Sequence, residues 1–437
     1  MKPYPKYRDS GVEWLGQIPE GWEVKKLKYL ASCFPSNVDK KSKEDEEQVK
    51  LCNYTDVYYN EKIDSKMEFM IATCTPEQKA KFSLKKGDVI ITKDSEDPND
   101  IAVPAFVPED LNNVICGYHL AMIRAINTKN DGFYLNWMFK SRYARSFFAT
   151  VSNGLTRYGL GTYAINNATF LAPPLAEQKA IATFLDRETT KIDTLIAKQE
   201  QLIALLEEKR QALISHAVTN GLDPKATMKD SRVDWLGDIP EGWEVKKLKY
   251  LFKIKKRIAG KLGYQILSIT QRGIRIKDIS NNEGQISMDY SKYQLVYPGD
   301  FAMNHMDLLT GSVDISKFEG VTSPDYRVFV LSDKHSYPEF FKYVLLRGYT
   351  DRIFYNFGQG SSQLGRWRLP TEQFEAFMLP FPKFEEQKRI ADFINMKLEK
   401  SNLVIKKSTL AIEHLKEKRS ALISSVVTGK IDVRELV

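Results

Sequence analysis

Cysteine is scarce in this chain of 437 residues: Cys33, Cys52, Cys74 and Cys116 are all there is, all in the first half and none in a C-x-x-C pair. That argues against a disulfide framework or a cysteine zinc site, and for reduced thiols in a cytoplasmic protein. Long apolar runs are missing too, so no membrane span is expected. The opening MKPYPKYRDS has no apolar stretch after its lysines and does not read as a secretory signal. Catalytic motifs are equally wanting. There is no G-x-x-x-x-G-K-[ST] phosphate loop, since Val427-Thr-Gly-Lys430 lacks the upstream glycine and the closing hydroxyl residue. No Asp/Asn-Pro-Pro-Tyr/Phe of an amino-methyltransferase occurs. The histidines, His119, His216, His305, His335 and His414, are scattered without metal-ligand spacing. Asp94 and Glu96 lack the lysine motif that would make them a nuclease cluster. The expectation is a binding protein, not an enzyme, with no metal or cofactor of its own.

What is present is repetition. A hydrophobic content of 43% suffices for two or three cored domains, and the net charge of +8 suits a polyanionic partner without demanding one. Residues 9–30, DSGVEWLGQIPEGWEVKKLKYL, return at 230–251 as DSRVDWLGDIPEGWEVKKLKYL, with 19 of 22 positions identical. A second pair of segments recurs at a constant offset of 209 residues. Leu175-Ala-Glu-Gln-Lys-Ala-Ile-Ala-Thr-Phe184 is echoed by Phe384-Glu-Glu-Gln-Lys-Arg-Ile-Ala-Asp-Phe393, and Glu208-Lys-Arg-Gln-Ala-Leu-Ile-Ser215 by Glu417-Lys-Arg-Ser-Ala-Leu-Ile-Ser424. Between these ends, 31–172 and 252–381 diverge, with a few anchors left: Lys86-Gly-Asp-Val-Ile beside Pro298-Gly-Asp-Phe-Ala, and Leu155-Thr-Arg-Tyr beside Leu364-Gly-Arg-Trp. The order is lead-in, variable block, helix, twice over.

In the lead-in, Ile18-Pro19-Glu20-Gly21 reads as a type I turn, packed down by Trp14, Leu15, Trp22, Leu27 and Tyr29. The blocks carry β-rich runs at 88–92, 119–124 and 326–331 and helical periodicity at 133–148 and 339–347, so each is expected to be a mixed domain of ~130–140 residues. From Ala176 to about Ala217 there is no Gly or Pro, and Leu195, Leu202, Leu206 and Leu213 mark an apolar stripe. Val404, Ala411, Leu415 and Leu422 stand at the matching positions of the second copy, and Gln199 and Ser408 interrupt the stripes. The predicted fold is α+β: two mixed domains separated by two long antiparallel coiled-coil helices, in a pseudo-two-fold internal repeat. The expected segments are 1–172, lead-in and first block; 173–219, first helix; 220–381, linker, second lead-in and second block; and 382–437, second helix and tail.

Duplex DNA has dyads normal to its axis, so a pseudo-two-fold protein can lay two equivalent domains on two half-sites. Diverged blocks on a repeated frame would then read two different half-sites, since base edges demand distinct side chains where phosphates do not. A duplicated coiled-coil adaptor that binds proteins and no DNA would share the layout. The doubled W-x-G-x-I-P-x-G-W-E, P-L-x-E-Q-x-x-I-A-x-F and E-K-R-x-A-L-I-S motifs decide between them: the chain resembles the specificity subunits of type I restriction–modification enzymes over essentially its whole length. The second P-L-x-E-Q segment departs slightly, reading Pro382-Lys-Phe-Glu-Glu-Gln387. The resemblance implies that each block is a target recognition domain for one half of a bipartite, asymmetric double-stranded DNA site. It implies that the helices space the blocks and dock two methyltransferase subunits, which restriction subunits join. S-adenosylmethionine and ATP are then expected on those partners. A subunit serving methylation alone is an alternative within the family.

Candidate DNA contacts follow from the anchors. Arg157-Tyr158 and Arg366-Trp367 hold equivalent places after Gly- and Ser/Asn-containing stretches, where arginine can take phosphate or guanine and the aromatic can buttress it. Lys93-Asp94-Ser95 and Asn304-His305-Met306 follow the paired Gly-Asp turns and are expected on loops that reach base edges. Lys255-Lys256-Arg257 could add phosphate affinity, and the acidic run 44–47 should avoid DNA.

If helix length sets the spacer between half-sites, inserting about four residues before the Asn220–Pro224 link adds ~6 Å at ~1.5 Å per residue. Against ~3.4 Å per base pair, the spacer in mapped methylation sites should lengthen by about one to two base pairs, with both half-site sequences unchanged. A constant spacer across such insertions would show that the helices are not the ruler.

Overall fold

The computed structural model describes residues 2–13, 15–126, 129–278, 289–360 and 367–436. The fold is α+β, an internal repeat of two mixed blocks and two long helices, Leu175–Asn220 and Phe384–Val427. Two compact units emerge: Met1–Gln199 with Leu410–Val437, and Glu200–Thr409. Each unit thus owns one block, the opening half of one long helix and the closing half of the other.

In the first unit the block is built on an antiparallel sheet ordered Ala31–Pro35, Leu120–Ala125, Val89–Thr92, Pro104–Phe106. In the second the order is Phe252–Lys255, Arg327–Leu331, Phe301–Met303, Val313–Ile315, the same plan in strands that share little sequence. A helix follows each sheet. In the first unit the predicted periodic stretch is broken into Gly132–Lys140 and Arg142–Val151 at Ser141, whose hydroxyl caps the second helix by accepting from the Ala144 N–H at 3.2 Å. In the second it is a single helix, Pro338–Thr350. The differences between blocks lie in what is added. The first carries a sheet of Val114–Cys116, Glu47–Cys52 and Met70–Cys74, whose Val49, Leu51, Ala72 and Ile115 share a core with Ile90, Leu120 and Met122 of the four-stranded sheet. The second carries the pairs Leu267–Thr270 with Gly273–Ile276, and Gln294–Val296 with Gly320–Thr322.

The repeated lead-in is a clip. Glu23–Lys26 pairs with Thr169–Ala172 at the far end of the first block, and Glu244–Lys247 with Met378–Phe381 at the far end of the second. Trp22 and Leu27, and their copies Trp243 and Leu248, are buried beneath it. Tyr29, expected to pack, is exposed, as is its copy Tyr250; Trp14 lies outside the described residues. The turn falls one residue later than predicted. Trp22 N–H donates to the Pro19 carbonyl at 3.1 Å with Gly21 third at φ +92°, a type II geometry that favours glycine there.

The Gly-Asp turns recur in three dimensions. Gly87 and Gly299 both sit at φ +90°, and the following Asp88 and Asp300 are buried and accept from the Lys85 and Tyr297 N–H groups at 2.8 Å. Each buried carboxylate also takes an arginine: Arg124 binds Asp88 through Nε at 2.7 Å and Nη2 at 2.6 Å, and Arg257 binds Asp300. Arg257, the end of the predicted basic run, is therefore occupied inside its own domain.

Block and helix are tied by a repeated glutamine. Gln178 accepts from the Asp131 N–H at 2.9 Å and donates to the Pro173 carbonyl at 2.8 Å. Gln387, 209 residues on, accepts from the Tyr337 N–H at 2.7 Å and donates to Pro382 at 2.8 Å and His335 at 3.1 Å. Asp131 and Tyr337 are the N-cap residues of the block helices, so one side chain joins the start of each long helix to the start of a helix in its block.

Along the long helices, the residues between 196 and 213 that are not exposed are Ile196, Gln199, Ile203, Leu206, Arg210 and Leu213, a 3–4 repeat. Their counterparts at the 209-residue offset, Ile405, Ser408, Ile412, Leu415, Arg419 and Leu422, are likewise turned away from solvent. Leu206, Leu213, Leu415 and Leu422 are among these shielded residues. Leu195, Leu202 and Val404 are not: they are 48%, 38% and 40% exposed. Ile192 and Ile196 set the phase, and Leu195 stands just off it. In the first unit Ile192, Ile196, Leu415 and Leu422 share one core, with Arg419 ion-paired to Asp193 at 2.8 Å; in the second, Ala217 and Val218 share a core with Ile390 and Ile394. Among the described residues, no helix is long and apolar enough to cross a membrane and no group of His, Cys, Asp or Glu is placed to hold a metal.

Gln387 is wholly buried, and Gln387→Leu would leave the Tyr337 N–H and two carbonyls without their partner. The loss of one buried donor's bond costs ~1–3 kcal/mol. Urea melts should show a destabilisation in about that range, and an unchanged midpoint would mean that water replaces the side chain.

Candidate nucleic-acid interface

In the first block the sheet delivers two chain segments side by side. Leu120 pairs with Thr92, so the residues just beyond, His119 and Lys93, are neighbours, and Lys93 N–H donates to the His119 carbonyl at 3.0 Å. The next residues, Asp94–Ser95, form a short strand against Tyr158–Gly159. Tyr158–Gly159 closes a hairpin that starts at Asn153, through Asn153 N–H to Gly159 O at 3.1 Å and the reverse at 2.9 Å. Gly154 makes the hairpin possible, because a Cβ there would stand 1.9 Å from the Arg157 carbonyl oxygen. At its tip Leu155 is 95% exposed.

Three polar side chains converge at the base of the tip. The Asp94 carboxylate accepts from Arg157 Nη2 at 2.8 Å and lies 2.9 Å from His119 Nδ1, which is itself 3.2 Å from Arg157 Nη2. Nδ1 bears either a proton or a lone pair, so it cannot hydrogen-bond to both. With the proton on Nδ1 it donates to Asp94, and the carboxylate holds both neighbours. The Arg157 side chain keeps 56% of its surface exposed while Asp94 keeps 16%. Around them, Tyr118 is exposed and lies under the Lys93 ammonium at 4.5 Å, and Tyr54 and Tyr58 stack at 5.5 Å, with Tyr58 donating to Asp100.

Of the residues proposed from sequence in this block, Arg157 is the one that faces solvent. Lys93 is half-buried: its Nζ donates to the Ser36 carbonyl at 3.0 Å, and burial holds its pKa below the usual lysine value. Ser95 is buried within the short strand instead of lying on an exposed loop, and Tyr158 packs its ring against the core. Asp94 belongs to the loop expected from sequence, whereas His119 and the Tyr54–Tyr58 stack are not among the expected contacts. Pairing the runs 88–92 and 119–124 in antiparallel register would have placed His119 beside the Asp94 segment, and tyrosines four apart on a short helix were the signal for the stack.

In the second block, Asn304 uses its backbone carbonyl to accept from Tyr349 at 2.7 Å and its side-chain oxygen to accept from the Met306 N–H at 3.3 Å. Trp367 is a buttress, stacked on Tyr355 at 5.1 Å and donating to the Tyr355 carbonyl at 2.7 Å. Arg366 lies outside the described residues. His305 is largely buried. Desolvation first, then the charges of Arg327 and Arg368, push its pKa down to about 4, and its Nδ1 has no hydrogen-bond partner among the described residues. Arg327 is buried beside it and, among the described residues, is in no ion pair, donating to the Leu369 carbonyl at 3.1 Å and the Thr371 hydroxyl at 3.2 Å.

Comparison with known proteins agrees with this plan. The family model described as the type I restriction modification DNA specificity domain matches twice, at residues 19–205 and 240–414. A protein of Methanocaldococcus jannaschii named for the specificity subunit of the MjaX type I restriction enzyme is 22% identical over 96% of each chain. The MjaVIII specificity subunit of the same organism is 25% identical over 70% of this chain and 72% of its own. In fold, a chain from a type I R-M system, solved to explain complex assembly and conformational transition, superposes with a TM-score of 0.69 at 14% identity, covering 95% of this chain and 99% of its own. The HsdS subunit from Thermoanaerobacter tengcongensis gives 0.53 at 16% identity, over 95% and 98%.

The depressed pKa of His305 has a signed consequence. Unfolded, the ring takes a proton near pH 6.5; folded, it resists to about 4. Stability is therefore full above pH ~6.5 and falls as pH drops from there towards 4, by ~2–3 kcal/mol at most. In urea melts at pH 7 and pH 4.5, His305→Gln should lose about 2 kcal/mol less than the parent on acidification. Equal losses would show that His305 is protonated in the native state.

Proposed function

The chain belongs to the family of type I restriction–modification DNA specificity subunits, and from that premise we propose that its two blocks each read one half of a bipartite, asymmetric double-stranded DNA target. Such subunits are the non-catalytic, DNA-recognising components of their systems. The observation that carries the reading is the pair of sheets with one strand order and different additions. The part held constant is framework, and the part that varies could carry two unlike base readouts. Arg157 would touch DNA from the first block, and Arg366 by its equivalent place in the second. Lys93, Ser95 and Tyr158, and Asn304, His305 and Trp367, would act behind them, shaping the loops.

The long helices would dock two methyltransferase subunits, joined by restriction subunits, with S-adenosylmethionine and ATP held by those partners in the cytoplasm. The exposed Leu195 and Leu202 on the first helix and Val404 on the second support this, since apolar side chains excluded from the seam are available for a partner.

Exchange of residues 31–172 for the corresponding block of another specificity subunit should alter one half of the methylated target and leave the other half intact. Genome-wide methylation mapping reads the result. A change in both halves, with the protein folded, would refute independent reading by the blocks. Absence of sequence-selective binding by the parent chain in complex with its methyltransferase subunits would refute the DNA reading itself.

A further inference from the structure

We propose that Arg157, held by Asp94, is the residue through which the first block reads a guanine; the inference rests on the DNA-specificity reading above. Arg157 has two possible targets on duplex DNA, a phosphate or the O6/N7 edge of guanine. The surroundings separate them. A phosphate would approach a guanidinium already neutralised by a carboxylate 2.8 Å away, and the Asp94 charge would oppose it. Guanine O6 and N7 are uncharged acceptors and meet no such repulsion.

The brace also fixes orientation. Asp94 occupies Nη2 on one side, while its own position is set by strand pairing to Gly159 and by His119 Nδ1 on its other oxygen. The guanidinium is planar with five donors, so holding one nitrogen restricts where the rest can point. The freedom that a long side chain loses on binding is then largely lost before DNA arrives. Leu155, two residues earlier and almost wholly exposed, puts an apolar side chain on the same hairpin. That suits the floor of a groove, where thymine presents a methyl group, and not the phosphate rim. Arg142 and Arg145 provide the contrast: both are exposed and, among the described residues, neither is in an ion pair, the condition that suits a cation for phosphate.

Asp94 is thus a positioning residue and Arg157 the reader. The experiment uses the full chain with its methyltransferase subunits and measures methylation and binding across a randomised target library. The variants are Arg157→Ala, Arg157→Lys, Asp94→Asn and the double variant Asp94→Asn/Arg157→Ala. Arg157→Ala should relax preference at a single G·C position of one half-site by about 5- to 150-fold. Arg157→Lys should relax the same position although charge is kept, because the fork is lost. Asp94→Asn should relax that position too, and the double variant should be no worse than Arg157→Ala. Intact preference at the other half-site reports that each variant is folded. A uniform loss on all sequences with the salt slope shallower by about one would mark Arg157 as a phosphate contact and overturn the proposal. So would unchanged selectivity, or an Asp94→Asn effect confined to stability. If the parent complex selects no sequence, the specificity reading fails and this inference with it; if the parent selects and Arg157→Ala selects equally well, only this inference fails.

Discussion

A buried amide that must find hydrogen-bond partners governs how this chain is put together. Gln178 and Gln387 each enter the first turn of a long helix with no access to water, and their oxygen and nitrogen must be satisfied by the protein. The partners come from two directions. The proline carbonyl just before the long helix lies on one side, and the opening N–H of the block helix on the other. A glutamine can make both bonds because it donates and accepts through one planar group; a glutamate, accepting alone, would leave the carbonyl contacts unmade. The neighbouring Glu177 is tied differently, accepting from Tyr4 of the chain's opening segment. The repeated Glu-Gln pair is thus a joint, and its recurrence at a fixed offset puts the same joint in both units.

Around that joint, each block has a fixed part and a free part. The fixed part is the four-stranded sheet, its Gly-Asp turn and the lead-in strand that clips the block's last strand. Even here chemistry is met by different residues: Asp88 is neutralised by an arginine within a central strand, Asp300 by one just after an edge strand. What is held constant is the buried carboxylate in the turn, with whichever arginine reaches it. The free part is the inserted sheet or the strand pairs, which pack on the frame sheet through Ile90, Ala105, Leu120 and Met122 in the first block and through Ala302 and Val328 in the second.

Much of this was legible in the sequence. The repeat, the two helices and the Gly-Asp turns follow from residue patterns that act locally, and an uninterrupted run free of Gly and Pro leaves little choice but helix. The seam was only half legible. Leucines at 195, 202, 206 and 213 look like one stripe, but the isoleucines at 192, 196 and 203 set the register, and a shift of one position turns Leu195 and Leu202 to solvent. Tyr29 departs from expectation because aromatic size alone does not decide burial: it and its copy Tyr250 stand on the solvent side of the clip. Ser95 looked like a loop residue because its strand is only two residues long and exists through pairing with Tyr158–Gly159, more than sixty residues away. Asp94 and His119 were invisible as a pair for the same reason: nothing local joins them.

The equivalent places in the two blocks show how side-chain chemistry can change while the frame stays. Lys93 and His305 occupy the same backbone position, since Leu160 N–H donates to the Lys93 carbonyl at 2.8 Å and Leu369 N–H to the His305 carbonyl at 2.9 Å. One side chain is an ammonium drawn onto an exposed tyrosine; the other is an imidazole that resists protonation beside a buried arginine. The hydrogen bond that positions them uses main-chain atoms, which every residue offers, so it places no demand on the side chain. The same holds for the strands beyond: Asp94 is set by pairing to Gly159, and its carboxylate is then free to brace whatever cation the hairpin presents. A frame fixed through its backbone, with loops whose side chains are held by one another, lets readout vary by changing a few mutually supporting residues and no part of the core.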